Sequence, residues 1–188
     1  MTNNYHRRIN LDFDLDYSHF EHIKTRLEDP SKKQTFTMGR NFIDEGMKEF
    51  VARRNCTVVS LTYFHTPPGQ SRVIHSDNTK VDNFTKINFV FNGVGSVMKW
   101  WKLKDPNTEA KIGVLPDKQL YKYYVEDQCV NVETAEILTP TMLNAGALHS
   151  LENFTNNYRW AISFLLGDEN YKPLQWDDAM IRFASYLD

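Results

Sequence analysis

Apolar side chains recur at helical spacing in two stretches of the first third of the chain. Residues 17–27 place Phe20 and Leu27 on one helical face, and residues 42–51 carry a second apolar stripe that includes Met47. Most other positions in these stretches are polar or charged. We therefore predict two amphipathic helices that pack against a larger body of the protein.

From residue 56 onward the pattern changes to a period of two. Residues 57–64 are β-branched and aromatic, and the turn signal Pro67-Pro68-Gly69 follows them. Residues 86–91 alternate cleanly, and Asn92-Gly93 then supplies hairpin turn chemistry. We also predict a closing helix at 176–187 and further strands at 71–76, 96–103, 120–125, 129–132, 135–138, 142–151 and 158–166.

This order of elements favours a jelly-roll architecture. About eight short strands at close spacing suit an antiparallel sandwich or barrel, which limits exposed sheet edges. A parallel sheet would need helices between its strands, and the pattern shows none there. We predict a mainly β fold with flanking helices, formed as one domain over residues 1–188. Its parts are a helical support at 1–55, a β core at 56–166 and a C-terminal helix at 167–188.

Charge and composition narrow the class of partner. The net charge is −2, the pI is about 6.3 and the basic residues are scattered, so a nucleic-acid partner is not expected. No apolar run at the N-terminus suggests a secretory leader, and no long apolar stretch suggests a membrane span. Two cysteines are too few for a disulfide framework, so we expect reduced, buried thiols and a cytoplasmic location. The 16 asparagines are typical of an A·T-rich genome such as a viral one, which would place the protein in a host cytoplasm.

Three side chains offer the ligand types of a first-row metal. His75 and Asp77 lie two residues apart on a predicted strand and therefore project to the same face. His149 follows 72 positions after Asp77, near the end of another predicted strand. Two histidines and one carboxylate on one face of an octahedron leave coordination sites open, as in non-haem Fe(II) oxygenases.

An arginine follows the second histidine at a spacing of ten residues. Strand period places Arg159, Ala161 and Ser163 on one face, and the bulky side chains of Trp160 and Ile162 on the other. If the bulky face packs under helices, Arg159 points into the barrel. A buried guanidinium needs an anion, and it can bind a carboxylate through two hydrogen bonds, to which Ser163 would add a hydroxyl.

The order His-x-Asp, distant His and then Arg resembles the 2-oxoglutarate/Fe(II)-dependent dioxygenase superfamily. The resemblance covers roughly residues 58–166 and includes three further segments around the core strands: Lys86-Ile87-Asn88-Phe89, Met98-Lys99-Trp100-Trp101 and residues 144–153 around His149. It implies a double-stranded β-helix core, which is jelly-roll or cupin-like. It also implies catalytic Fe(II) held by His75, Asp77 and His149, with 2-oxoglutarate and O₂ as co-substrates.

The same resemblance implies which residues bind 2-oxoglutarate. Arg159 would bind its distal carboxylate, and Tyr63 stands where some relatives have a co-substrate-binding tyrosine. Some relatives carry Arg-x-Ser on the last strand, whereas here the hydroxyl arrives only at Ser163. Other branches use a lysine on the second strand, so Lys86 is an alternative to Arg159, which the spacing favours.

Three residues are expected near the primary substrate, each with a plainer alternative. Asn88 would orient substrate or satisfy a sheet hydrogen bond, and Trp100 would line the cleft or fill the core. Arg72 would lie at the mouth of the site or on the open surface. His65, before Thr66 and two prolines, is expected to be a loop residue and not a ligand.

The predicted activity is hydroxylation of a C–H bond with release of succinate and CO₂. The substrate would be a small molecule or a peptide or protein side chain; the oligomeric state is not predicted. Two alternatives remain. In the first, His75 bonds Asp77 at a surface turn, His149 is a core residue, and the protein is a jelly-roll binding or structural module. In the second, it is a cupin-type metalloenzyme that does not use 2-oxoglutarate.

Overall fold

The structure is a computed structural model that describes residues 4–16, 20, 35–77, 81–114, 120–138 and 140–188. Thirteen strands and two α-helices lie within these ranges. The strands are β1 His6–Arg8, β2 Thr35–Met38, β3 Thr57–Thr66, β4 Gln70–Ser71, β5 Ile74–Ser76, β6 Thr85–Phe91, β7 Ser96–Leu103, β8 Lys111–Val114, β9 Leu120–Tyr124, β10 Cys129–Ala135, β11 Thr141–Asn144, β12 His149–Asn153 and β13 Arg159–Gly167. The helices are α1 Glu45–Ala52 and α2 Trp176–Arg182, with 3-10 turns at Arg40–Phe42, Glu126–Gln128 and Ala184–Tyr186.

The strands form two antiparallel sheets. The first sheet has the order β1-β11-β6-β13-β3-β2, and the second has the order β10-β7-β12-β5-β9-β8, with β4 paired to β12. Chain neighbours such as β5 and β6, or β11 and β12, lie in different sheets, so the chain passes repeatedly from one sheet to the other. This mainly β jelly-roll core with flanking helices confirms the predicted fold class.

The outer face of the first sheet carries the main hydrophobic core. Trp160, Ile162 and Phe164 of β13 are buried there, together with Phe50 of α1 and Phe183 beside α2. The opposite face of β13 therefore points between the sheets, because side chains alternate along a strand. Arg159 and Ser163 lie on this inner face, as the sequence pattern predicts.

The predicted N-terminal helices are only partly testable. Of residues 17–27, the structure describes only Phe20, which is buried; the rest of that prediction lies outside the described residues. The helix predicted at 42–51 begins later, at Glu45, because the Asp44 side chain accepts a hydrogen bond from the Met47 amide and caps it. Phe42 belongs to the preceding 3-10 turn and is 47% exposed.

Several strand predictions need correction. The stretch 142–151 is two strands in different sheets, β11 and β12, joined by a turn at 145–148. The stretch 129–132 is part of a longer strand, β10, which has a bulge between Asn131 and Glu133 and ends at Ala135, so the strand predicted at 135–138 does not form. Strands β1, β2 and β8 are not predicted at all, and the closing helix ends at Arg182 and not at 187.

Both cysteines, Cys56 and Cys129, are free and buried. Among the described residues, no helix reaches the length and apolar character of a membrane span.

Candidate active site

His75, Asp77 and His149 converge at one point between the sheets. Asp77 Oδ1 lies 3.2 Å from His75 Nε2 and 3.7 Å from His149 Nε2. One ligand atom from each of the three residues lies within 4.8 Å of the other two. The two histidines are register partners on β5 and β12, so the pairing of these strands fixes their separation. The structure thus contains a His/Asp/His group with the geometry to hold one metal ion.

The hydrogen bonds behind the imidazoles decide which ring nitrogen is free. His75 Nδ1 lies 2.7 Å from the carbonyl oxygen of Val73, and His149 Nδ1 lies 2.9 Å from that of Ala147. A carbonyl oxygen only accepts, so each Nδ1 must carry a proton, and Nε2 is the ring nitrogen that could bind a metal ion. Both Nε2 atoms lie toward Asp77 Oδ1, so one ion could contact all three residues.

Charge and burial set the protonation of Asp77 and His149. Burial raises the pKa of Asp77, but interactions led by the Lys86 ammonium outweigh burial, so this pKa lies well below its usual range. Burial is the main cause that lowers the pKa of His149 to about 4. Asp77 is therefore a carboxylate and His149 a neutral imidazole near pH 7.

The turn before His149 explains how the third ligand is placed. At Gly146 an added Cβ would lie 2.8 Å from the Asn83 Cα and closer still to its amide nitrogen, so only glycine lets the two chain segments approach. Asn144 donates to the Asn83 side chain at 2.6 Å and accepts from the Ala147 amide at 3.2 Å. These contacts fix the turn from which His149 emerges.

A cavity of about 150 Å³ extends from the three ligands to the inner face of the first sheet. The first sheet contributes polar side chains from three neighbouring strands: Arg159 and Ser163 from β13, Asn88 and Lys86 from β6, and Thr66 from β3. Strand register places Arg159 beside Thr66 and Ser163 beside Asn88. The cavity therefore has a metal-binding group on one sheet and a polar wall on the other.

This polar wall holds buried atoms that no described residue satisfies. Arg159 is 3% exposed, and its Nε has no hydrogen-bond partner in the described part of the chain. Three further buried atoms likewise have no hydrogen-bond partner among the described residues: Ser163 Oγ, Asn88 Oδ1 and Thr66 Oγ1. Burial without an anionic partner lowers the pKa of Arg159 to about 10. Such a set of unsatisfied groups in one cavity favours a polar ligand, because a buried polar group without a hydrogen bond costs free energy.

Lys86 has a different environment from Arg159. Its ammonium donates to Asp77 Oδ2 at 2.6 Å. The two inward cations of the first sheet are thus distinct: Lys86 is paired with the carboxylate of the metal-binding group, whereas Arg159 has no paired carboxylate among the described residues.

The three residues expected near a primary substrate all line the cavity. Trp100 lies beside His149 in the register of β7 and β12, and its buried Nε1 has no partner among the described residues. Its neighbour Trp101 faces the other side of the second sheet, against Ile74 and Cys129. Arg72 lies at the cavity wall near its mouth, where Val73 is 51% exposed.

Tyr63 does not reach the cavity, which corrects its expected role in co-substrate binding. It pairs with Ile162 and lies with it on the outer face of the first sheet, where its ring packs at 4.9 Å from that of Phe20. The inward position belongs to Phe64, one residue later. Burial in this apolar environment raises the pKa of Tyr63.

His65 is also placed differently from the expectation. It is not in a loop but in β3, 1% exposed, and its ring packs against those of both Tyr158 and Trp160, at 4.7 and 4.6 Å. Neither ring nitrogen has a partner in the described part of the chain. Burial, reinforced by the charge of Arg72, lowers the pKa of His65 to about 4.

Tyr121 is one of several cavity residues that the sequence analysis does not single out. Tyr121 of β9 lines the cavity, and its ring meets His75 edge-on at 5.9 Å. Its ring lies over Gly113 of β8, where an added Cβ would come within 2.5 Å of ring carbon Cε1. The only sequence signal for this packing is a glycine in a short strand that the pattern does not predict.

Comparison with known proteins gives matches in structure only. No protein-family model matches the sequence, and no curated protein matches it either. AviO1 from Streptomyces viridochromogenes Tue57 has a TM-score of 0.51 at 9% identity, covering 90% of this chain and 92% of that one. EvdMO1 has a TM-score of 0.52 at 8% identity, covering 87% of this chain and 47% of that one.

HygX from Streptomyces hygroscopicus, solved with nickel and 2-oxoglutarate bound, has a TM-score of 0.49 at 12% identity and covers 87% of this chain and 82% of HygX. The chain spans 24% of the capsular polysaccharide assembling protein CapF from Staphylococcus aureus, with 14% identity and a TM-score of 0.29. At identities this low, the likeness to AviO1 and EvdMO1 establishes the fold alone. The chain thus has a cupin-like jelly-roll fold with a His/Asp/His group in its cavity.

Proposed function

We propose that this protein is a 2-oxoglutarate- and Fe(II)-dependent oxygenase. The observation that carries the proposal is one cavity with two complementary ends. One end has two imidazoles and a carboxylate within bonding reach of a single ion, and the other has the buried guanidinium of Arg159, which has no carboxylate partner among the described residues. A ligand that binds a metal through one end and carries a carboxylate at the other fits both.

The donor set suits iron in its ferrous state. Two imidazoles and one carboxylate from one side leave coordination sites open, which is typical of non-haem Fe(II) oxygenases. The hydrogen bonds from Nδ1 to the carbonyls of Val73 and Ala147 orient the rings of His75 and His149 toward the ion. Lys86 binds Asp77 Oδ2, and Oδ1 is the carboxylate oxygen that lies nearer the histidines.

Arg159 supplies the site for the distal carboxylate of 2-oxoglutarate. A buried guanidinium forms strong charge-assisted hydrogen bonds to a carboxylate. No described residue offers Arg159 a carboxylate, so a bound ligand would supply it. Ser163, Asn88 and Thr66 offer further polar atoms on the same wall. These groups could take the place of the serine that some relatives have two residues after the arginine.

When bound, ferrous iron would activate O₂ while 2-oxoglutarate is oxidatively decarboxylated. In the net reaction, substrate, O₂ and 2-oxoglutarate give hydroxylated substrate, succinate and CO₂, with one oxygen atom in each of the two oxidised products. The protein's own part is to orient the reactants and to exclude water from the cavity. The primary substrate would be a small molecule or a peptide or protein side chain.

Calorimetric titration of 2-oxoglutarate into the Zn(II)-loaded protein tests this assignment without requiring turnover. The wild-type protein should bind one equivalent. The Arg159→Met variant should lose at least about tenfold in affinity, since hydrogen bonds to charged groups contribute about 1.5–3 kcal/mol. Lys86→Met is the matched control, because it removes the other inward cation; at saturating Zn(II) its affinity should stay within about threefold.

A loss of 2-oxoglutarate affinity in Lys86→Met but not in Arg159→Met would assign the distal carboxylate to Lys86 in place of Arg159. A wild-type protein that binds Zn(II) but no 2-oxoglutarate would contradict the proposal and favour a cupin-type metalloenzyme. A folded protein that binds neither would favour the binding or structural module.

A further inference from the structure

The cavity carries more positive charge than the proposed reaction needs. Its described lining includes three cationic side chains, Arg72, Lys86 and Arg159, and one carboxylate, Asp77. A divalent metal ion and the dianion of 2-oxoglutarate cancel one another, so binding both leaves the excess of two positive charges unchanged. Lys86 is bonded to Asp77 and Arg159 faces the proposed co-substrate, which leaves Arg72 as the cation without an assigned anion.

Arg72 is held rigidly beside the metal-binding group. One of its terminal nitrogens donates to the His65 carbonyl oxygen at 2.8 Å, and its backbone amide donates to the Leu151 carbonyl at 2.7 Å. A backbone carbonyl orients the guanidinium but does not neutralise it. Burial lowers the pKa of Arg72, and Tyr121 acts in the opposite direction. Arg72 and Tyr121 therefore lie together on the wall that leads to His75.

We infer that Arg72 binds an anionic oxygen group, a carboxylate or a phosphate, on the primary substrate. The inference rests on the proposed function, because the substrate meant is the molecule oxidised at this site. A partly buried guanidinium at a cavity wall, whose only side-chain hydrogen bond among the described residues is to the His65 carbonyl, can bind such a group through two parallel hydrogen bonds. Substrates without a negative charge would leave this cation desolvated and unpaired, so the site would discriminate against them.

Two matched pairs of small probes test the inference: benzoate against benzamide, and phenyl phosphate against phenol. Their affinities for the Zn(II)- and 2-oxoglutarate-loaded protein are measured by ligand-observed NMR. We expect the anionic member of at least one pair to bind about tenfold more tightly, and the larger preference identifies the group as carboxylate or phosphate. In the Arg72→Gln variant, whose amide still donates to the His65 carbonyl, the preference should fall to about twofold or less.

Lys102→Gln is the control for general electrostatics, because Lys102 is an exposed lysine of β7 outside the cavity lining; it should keep the full preference. In the wild-type protein the Nε–H signal of Arg72 should shift with benzoate and not with benzamide, which tests the inference without any substitution. Equal affinities within both pairs, or a preference that survives in Arg72→Gln, would overturn it.

The same samples separate this inference from the proposed function. The affinity for 2-oxoglutarate is measured in parallel and should be unchanged in Arg72→Gln. If the wild-type protein fails to bind 2-oxoglutarate, the proposed function is contradicted. If it binds 2-oxoglutarate but shows no preference for anionic probes, only the role of Arg72 is contradicted.

Discussion

Arg159 is the residue at which function and stability oppose each other. Its guanidinium is buried without an anion among the described residues, and its lowered pKa reports the cost of that burial. Replacing a buried charge by an apolar side chain of similar volume is often neutral or stabilising. We therefore predict that Arg159→Met raises the free energy of unfolding of the ligand-free protein by roughly 1–3 kcal/mol.

Urea denaturation of the metal-free protein measures this effect. Arg159→Lys is the control, because it keeps a buried cation and should bring no gain. A less stable Arg159→Met protein would mean that the guanidinium already has an anionic partner in the ligand-free protein.

His65 should make stability depend on pH. Its pKa in the folded protein is about 4, below the ordinary value of 6.5, so between these values the unfolded chain binds a proton that the folded protein does not. The free energy of unfolding must then fall as the pH is lowered from about 6.5 to 4. His149 acts in the same direction. His65→Phe keeps an aromatic ring in contact with Tyr158 and Trp160 and should reduce by about one the number of protons taken up on unfolding.

The urea concentrations at the midpoint of unfolding are measured at pH 7, 6 and 5 for the wild-type and His65→Phe proteins. The variant should be at least as stable as the wild type at pH 7, because two unsatisfied ring nitrogens are removed. An unchanged pH dependence would show that His65 is not protonated on unfolding.

The face on which a side chain lies was predictable where strand alternation alone decides it. His75 with Asp77, and Arg159 with Ser163, share faces by simple alternation, and the structure places them so. Tyr63 is wrong by a single position because β3 has apolar side chains on both faces, and only its pairing with Ile162 reveals which one points outward. The contact between Lys86 and Asp77 crosses from one sheet to the other, so no local pattern predicts it.

At the scale of elements, the turn between β11 and β12 decides where the third ligand lies. An Ala side chain at Gly146 would overlap the backbone of Asn83, and backbone cannot rotate away as a side chain does. We predict that Gly146→Ala destabilises the protein by roughly 2–3 kcal/mol and weakens Zn(II) binding by displacing His149.

Thermal denaturation and a competitive Zn(II) titration measure both effects. Gly39→Ala is the matched control, because its Cβ would meet nothing within 4 Å; its stability should change by no more than about 1 kcal/mol. A normal Zn(II) affinity in Gly146→Ala would show that this turn does not position His149.

The sequence pattern does not predict this turn. The sequence pattern at 142–151 predicts one strand, but the chain leaves one sheet at Asn144 and enters the other at His149. Periodicity reports which side chains share a face and not which sheet a strand joins. The strands β2 and β8 escape prediction for a related reason, since edge strands such as these show little alternation between buried and exposed positions.

For the whole molecule, ligand binding and folding should be linked. The ligands come from β5, the residue after it and β12, which meet only in the folded protein, so an ion bound there stabilises the native state. At a free concentration of a hundred times Kd the gain is about 2.7 kcal/mol, or roughly 5–10 °C in Tm for a chain of this size.

Differential scanning fluorimetry with Zn(II), alone and with 2-oxoglutarate, should show two successive increases in Tm. His149→Ala should abolish both, whereas His6→Ala, a change of a histidine outside the cavity, should keep them. An equal increase in His149→Ala would place the ion elsewhere.

Anaerobic titration of Fe(II) and 2-oxoglutarate, followed by visible absorption, tests the central claim most directly. The account predicts that a new charge-transfer band appears in the wild-type protein only when both are present, saturates at one equivalent of each, and is absent in His149→Ala. A folded wild-type protein without this band, or a His149→Ala variant with the same band, would contradict the account.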